Sequence, residues 1–203
     1  MMKLLSHPFS PYARKVRLTA AMKGLLERMS VETVDANIVD NPILKSANPL
    51  RKIPVLVLDD GSRLFDSAVI CEYLDTLEPT PRLFPSGGAE RFKTLTLGAL
   101  GDGILDAAIL LVYEKRFRPE DKWVTTWTDR QQLKIDTALA HLEKNPPVWE
   151  SHPDYGHIAL ASALGYLDFR HEGKWRAAQL RLVAWLDRFA ATVPAFAETK
   201  PTA

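Results

Sequence analysis

Hydrophobic and polar positions follow two different rules along this chain. Up to about residue 78 the apolar residues come in short runs parted by turn formers. Leu4 and Leu5 read as a short strand, and Pro11 to Lys23 as a helix stopped by Gly24. Met29 to Val34 alternates weakly and suggests a second strand. Pro42, Asn48 and Pro49 leave room only for a short helix after it. Val55-Leu56-Val57-Leu58 is a β-rich run, and Asp59-Asp60-Gly61 is a hairpin turn ahead of Arg63-Leu64-Phe65. A helix then begins near Ser67, with Ile70, Tyr73, Leu74 and Leu77 at i, i+3, i+4 and i+7. The order β-α-β-(α)-β-β-α predicts a small mixed-sheet α/β domain over residues 1–78.

Pro79, Thr80, Pro81, Pro85, Gly87 and Gly88 crowd the next stretch and mark 79–88 as a linker. From 89 to 203 the period is helical throughout. Arg91 to Lys115 is one long helical pattern, and Trp127 to Glu143 is another with Ile135, Ala138, Leu139 and Leu142 on one face. His157 to Leu167 is apolar nearly all round, the mark of a helix buried at the centre of a bundle. Leu182, Trp185, Leu186 and Phe189 repeat the spacing once more. An all-α C-terminal domain is expected.

Composition narrows the function classes. With 203 residues the chain can bury a sizeable core, and a formal net charge of +1 favours neither nucleic acid nor an anionic membrane surface. The uncharged stretch Ala107 to Tyr113 is too short to span a bilayer, and no signal-peptide core follows Met1. A single cysteine excludes a disulfide within the chain and suits a reducing compartment, so a cytoplasmic place is expected.

Three short motifs carry candidate chemistry. Ser10-Pro11-Tyr12-Ala13 follows the first strand; Ser10 can cap a helix whose first position suits Pro11. In Asn48-Pro49-Leu50-Arg51-Lys52-Ile53-Pro54, Pro54 stands directly before a strand, where its missing donor is tolerated. A cis bond there would turn the Ile53 N–H and C=O outward to pair with an extended ligand; a trans bond is the ordinary case. Phe65-Asp66-Ser67-Ala68 lies where a hairpin strand gives way to a helix, a place that favours an anion. Read alone, Asp66 or Ser67 only caps that helix.

In order and spacing these motifs resemble those of the cytosolic glutathione S-transferase family, small bacterial serine-type members above all. Thiol oxidoreductases of the thioredoxin superfamily keep Cys-Pro-Tyr-Cys where this chain has Ser10 and Ala13, which removes disulfide exchange and leaves a hydroxyl able to bond another molecule's thiolate. Gly101-Asp102-Gly103-Ile104-Leu105-Asp106-Ala107, Gly165-Tyr166-Leu167-Asp168-Phe169-Arg170 and the tail Pro194-Ala195-Phe196, followed by Thr199 and Pro201, look like family segments too. The resemblance implies a thioredoxin-like N-terminal domain with a mixed four-stranded sheet, a cis Ile53–Pro54 bond, a helical C-terminal domain, reduced glutathione as co-substrate, no metal, and a homodimer. Ser10 matches the catalytic serine, with Pro11 beside it; Ile53 matches the backbone partner of the cysteinyl unit, and Asp66 and Ser67 the γ-glutamyl anchors. Lys52, with Arg51 as competitor, is the candidate for the glycyl carboxylate. A small hydrophobic electrophile is expected between Tyr12 and the long helix carrying Ile109, Val112 and Tyr113. The implied reaction is attack of glutathione thiolate on that electrophile. Its rivals are a non-catalytic partner-binding or stress-regulatory protein of the same fold, and a glutathione-dependent isomerase or dehalogenase.

Other residues have plainer readings. Ser10 competes between cap and catalyst, and Tyr12 is the alternative donor to the thiol. Cys71 reads as a small buried hydrophobe, the five histidines lack metal-ligand spacing, and Arg14, Lys15 and Arg17 read as a solvated helix face. The tryptophans read as core or interface anchors. Family members begin the central helix with Ser or Thr and place Asp three residues on; here Asp154 and His157 stand there, and a neutral His157 is expected to be the poorer reciprocal acceptor.

Overall fold

The computed structural model describes residues 1–201. By its contacts the chain divides into two compact units, Met1–Ser86 with Val193–Ala203, and Gly87–Thr192. The segment from Val193 onward, which follows the helical domain in sequence, thus groups with the first unit.

The first unit is built on strands β1 (Met2–Ser6), β2 (Met29–Thr33), β3 (Val55–Val57) and β4 (Arg63–Leu64), with helices α1 (Pro11–Met22), α2 (Pro42–Ala47) and α3 (Ser67–Leu77). Strand order is β2-β1-β3-β4. β1 runs parallel to β2, with Leu4 opposite Val31, and antiparallel to β3, with Leu5 opposite Val55. β4 continues antiparallel, with Leu64 opposite Leu56. Leu5, Val34, Leu44, Ala47 and Val55 form one buried cluster. Ala13, Val16 and Leu18 of α1, and Ile70, Cys71 and Leu74 of α3, are buried as well. Cys71 is the buried hydrophobe its position suggests.

The α1 cations are not a solvated face. Arg14 and Lys15 are buried, Lys15 completely, and Arg17 is half-buried with burial lowering its pKa. The reason for Arg14 is non-local. The C-terminal segment, with its short helix α8 (Ala195–Glu198), lies over it.

Further along α1, the buried Lys23 ammonium donates to Asp75 Oδ1 at 2.8 Å, to the Glu78 carbonyl at 2.6 Å and to the Pro81 carbonyl at 2.6 Å. Asp75 in turn accepts from the Leu83 and Phe84 amides. Three donors on one ammonium meet three acceptors, so the buried cation is satisfied and the proline-rich stretch is fastened to the first unit.

The second unit holds α4 (Gly88–Phe117), α5 (Thr125–Lys144), α6 (Tyr155–Arg170) and α7 (Leu180–Thr192). The central α6 is buried from Tyr155 through Leu167, as its all-round apolar pattern predicts. It packs closely on α4 because two glycines allow it. A Cβ on Gly101 would stand 2.8 Å from the Ala159 carbonyl carbon, and one on Gly156 would stand 2.8 Å from the Thr94 carbonyl oxygen. At 30 residues and a mean hydropathy of 1.8 in its most apolar window, α4 is long and apolar enough to cross a membrane by length and composition. Its Ile104, Leu105, Ala107 and Ala108 are nonetheless buried within this unit.

Helix α6 starts at Asp154. Its Oδ1 accepts from the His157 amide at 3.1 Å, and its Oδ2 accepts from the Thr94 hydroxyl. The His157 ring also engages. Its Nδ1 lies 3.2 Å from the Asp154 amide and 2.6 Å from Asp154 Oδ1. One ring nitrogen cannot accept from the first and donate to the second together. The shorter contact, to a carboxylate, identifies Nδ1–H as a donor. His157 therefore completes the cap from the opposite side to a family carboxylate, as a donor to Asp154, and it does so buried beside Trp149 and Trp185. Burial pushes the Asp154 carboxyl up, but the bonds from His157 and Thr94 prevail and hold it below the usual carboxylate range.

Candidate active site

The register of the sheet decides what comes together. β1 ends toward Ser6 and leads to Ser10. Because β3 is antiparallel to β1, its first residue Val55, preceded by Ile53-Pro54, lies at that same end. β4 reverses once more, so Phe65-Asp66-Ser67 also leaves the sheet there. All three motifs therefore share one edge of one sheet.

Ser10 has extended backbone, φ −81° and ψ 116°, and its Oγ accepts from the Ala13 amide at 3.2 Å. Its own amide donates to the His7 carbonyl at 2.9 Å, closing the loop from strand to helix. So Ser10 is an N-cap. Capping uses a lone pair, whereas helping a thiolate uses the hydroxyl proton, and a serine carries both. No described residue accepts the Ser10 O–H. Pro11 occupies the first helical position and is buried; Tyr12 is half-buried, with Lys15 Nζ 5.8 Å from its ring centre.

The Ile53–Pro54 peptide bond is cis. Among the described residues neither the N–H nor the C=O of Ile53 has a hydrogen-bond partner. Asn48 shapes the approach, donating from Nδ2 to the Lys52 carbonyl and accepting at Oδ1 from Leu50. The two candidate cations differ. Arg51 donates to the Val39 carbonyl at 2.7 Å and to Asp40 at 3.0 Å, whereas the exposed Lys52 ammonium has no partner among the described residues.

Asp66 is the N-cap of α3. Its Oδ1 accepts from Ala68 at 2.9 Å and Val69 at 3.4 Å, while Oδ2 has no partner among the described residues. Ser67, the first helical residue, is buried, and its hydroxyl likewise bonds to nothing described. The Phe65–Asp66 bond is also cis, a feature no sequence signal announced. The remaining candidates belong to the second unit. Ile109 and Val112 are half-buried on α4, and Tyr113 is exposed with its ring 5.3 Å from that of Phe117. Near it, Tyr166 is buried and its phenol pKa is pushed up to about 12, mainly by burial. No group of three His, Cys, Asp or Glu side chains converges among the described residues.

The sequence matches the model of the glutathione S-transferase N-terminal domain over residues 9–77 and that of the C-terminal domain over 125–194. An uncharacterized GST-like protein of Escherichia coli, YibF, is 33% identical over 172 residues, 83% of each chain. A glutathione transferase family member from Pseudomonas fluorescens Pf-5, solved with bound glutathione, is 39% identical with TM-score 0.93 over the whole of both chains. Another structure of it holds S-(propanoic acid)-glutathione. A maleylacetoacetate isomerase of Pseudomonas aeruginosa is 32% identical over 101 residues, 49% of this chain and 48% of the isomerase.

Proposed function

We propose that this chain, which belongs to the glutathione S-transferase family, binds reduced glutathione along the sheet edge and activates its thiol for attack on a small hydrophobic electrophile. The observation that carries this reading is the unused hydrogen-bonding capacity gathered at that edge. It comprises the Ser10 proton, both backbone groups of Ile53, Asp66 Oδ2 and the Ser67 hydroxyl. Each matches one part of a tripeptide thiol. Ile53 pairs with the cysteinyl backbone as a neighbouring strand would. Ser67 and the start of α3 receive the γ-glutamyl carboxylate, and Asp66 Oδ2 its ammonium. Lys52 takes the glycyl carboxylate, since the Arg51 guanidinium is already held by Val39 and Asp40.

Ser10 then donates to the sulfur. A free thiol has a pKa of about 8.5, and a donor at a helix N-terminus lowers it, so thiolate is present at neutral pH. The thiol proton leaves to solvent. The sulfur lone pair forms the new C–S bond, and the electrophile's bonding pair moves onto its leaving group or onto the neighbouring atom, which takes up a proton. On this unit Tyr12, two residues beyond Ser10, is the side chain offered to the electrophile. The protein acts in the cytoplasm, where glutathione is the thiol pool, as a homodimer.

Ser10→Ala tests the reading. Activity is expected to fall on the order of a hundredfold, the usual cost of one donor to a developing anion, with glutathione affinity nearly unchanged. The decisive measurement is the pKa of bound glutathione, followed by thiolate absorbance. An unchanged value in Ser10→Ala returns Ser10 to a cap and passes its role to Tyr12. The partial match to an isomerase favours one second reading, glutathione-dependent isomerisation. Conjugation consumes glutathione stoichiometrically and isomerisation does not, so its loss during turnover separates the two. A partner-binding protein without enzymatic activity would show no turnover of either kind.

A further inference from the structure

Arg14 is placed against ordinary helix chemistry. It lies in the first turn of α1, four residues after the cap, where the helix dipole disfavours a cation, and it is only 4% exposed. Burial of a guanidinium at such a place requires specific partners. Those on the C-terminal segment come from more than 180 residues away. Nη2 donates to the Phe196 carbonyl at 2.5 Å, Nε donates to Thr199 Oγ1 at 3.2 Å, and the guanidinium lies 4.0 Å from the centre of the Phe196 ring. Thr199 is itself buried, and its hydroxyl donates to the Ala195 carbonyl at 2.7 Å, so it presents a fixed lone pair to Arg14.

The other end of Arg14 holds the Ser10 loop. Its amide donates to the Ser10 carbonyl at 3.0 Å, while the neighbouring Ala13 amide donates to Ser10 Oγ at 3.2 Å. Two consecutive amides of one turn therefore fix both the backbone and the hydroxyl of Ser10, and the side chain between that turn and the tail fixes the turn. A donor to a thiolate works only when aimed, because hydrogen bonds weaken steeply with angle and a displacement of about 1 Å can cost about a hundredfold in rate.

We propose that Arg14, gripped by Phe196 and Thr199, is a positioning residue that aims the Ser10 hydroxyl at the glutathione sulfur, making the C-terminal segment part of the thiol-activating apparatus. This rests on the reading of Ser10 as the thiol's donor.

The test uses Thr199→Val and Phe196→Leu, singly and combined, each keeping Arg14. Three properties are read on the full chain: glutathione affinity by calorimetry, the pKa of bound glutathione by thiolate absorbance, and kcat and KM with an activated aryl halide. Affinity and KM for glutathione are expected to stay within about twofold. The combined variant is expected to raise the thiol pKa by about half a unit, a roughly threefold loss of thiolate below the midpoint and a matching loss in kcat. Added to Ser10→Ala, the same changes are expected to shift the thiol pKa no further, because the group they aim is gone. Thr199→Ser is expected to restore the titration, and the single variants report the same shift where the combined one does not fold. A thiol pKa moved by Ser10→Ala but untouched by the tail variants overturns the proposal and leaves the tail as a stabilising latch. A pKa moved by neither, or no glutathione binding, removes the donor reading and the proposal with it.

Discussion

Helices α1 and α6 both begin at a short polar cap, and they use it in opposite ways. At α6 both oxygens of the capping carboxylate are engaged within the chain. Asp154 Oδ1 takes the His157 amide and ring, Oδ2 takes the Thr94 hydroxyl, and aromatic rings close around them. At α1 the Ser10 hydroxyl accepts from Ala13, and no described residue accepts its proton. The α3 cap follows α1, with Asp66 Oδ1 engaged and Oδ2 left over. A cap engaged only within the chain and the binding caps proposed at Ser10 and Asp66 thus share residue types and extended backbone. They differ in whether the capping side chain itself keeps a donor or acceptor that no described residue engages.

The largest effect that would test this contrast is on stability at the α6 cap. Asp154→Ala strands the Thr94 hydroxyl and the His157 amide in the interior. It is expected to destabilise the protein by about 3 kcal/mol, above the roughly 1 kcal/mol of an ordinary cap. Thermal or denaturant unfolding measures it. A loss no greater than that of Ser10→Ala would erase the distinction between the two caps.

A smaller effect sharpens it at the open cap. In Asp66→Asn the amide oxygen can still receive Ala68, so the helix start is kept while the charge at Oδ2 is lost. Glutathione affinity is expected to fall about tenfold, near 1.4 kcal/mol, with the unfolding midpoint unchanged. Calorimetry against a melting curve separates the two. A shifted melt with unaltered affinity would make Asp66 a purely structural cap.

The smallest effect concerns acid. Burial lowers the pKa of His171, whose Nε2–H reaches the Ala108 carbonyl at 3.1 Å. With the folded value depressed, the unfolded chain binds the extra proton first as pH falls below about 6.5, so stability declines from there downward. Asp154 adds to the decline lower down. Its folded pKa is also depressed, so its contribution is present above about 4 and is lost as pH falls through the folded value. His171→Gln is expected to flatten the upper part of the stability–pH curve and leave the lower part in place. Unfolding at a series of pH values checks it, and an unflattened curve would mean the imidazole is charged in the folded protein.

Much of this was readable from local pattern. The strand–cap–helix at Ser10, the proline before β3, and the hairpin-to-helix step at Asp66 are determined within a few residues, and the all-round apolar run of α6 marks it as central. What could not be read depends on partners far along the chain. Arg14 looked solvated because nothing near it in sequence says that Phe196 and Thr199 will cover it. The proline cluster looked like a plain linker because Lys23 and Asp75, which hold it, sit in helical patterns that give no sign of the pairing. His157 looked like a deficient acceptor because sequence carries no tautomer. Sequence places Lys52 ahead of its competitor Arg51 without a geometric reason, and only the fold shows that Val39 and Asp40 engage Arg51.

The fastening of the proline-rich stretch determines where this chain can be opened by a protease. Cleavage needs backbone drawn out in extended form. Between Glu78 and Phe84 the Glu78 and Pro81 carbonyls are bonded to Lys23 and the Leu83 and Phe84 amides to Asp75, so drawing the stretch out would break a buried ion pair. Past it, at Ser86-Gly87-Gly88, where the two units meet in sequence, the chain runs through consecutive exposed residues with no such tie. A nick there would leave the first fragment with its last strand of polypeptide still tied to α1, and would sever that fragment from the tail that grips Arg14 only in covalent terms, since those contacts lie within the first unit itself.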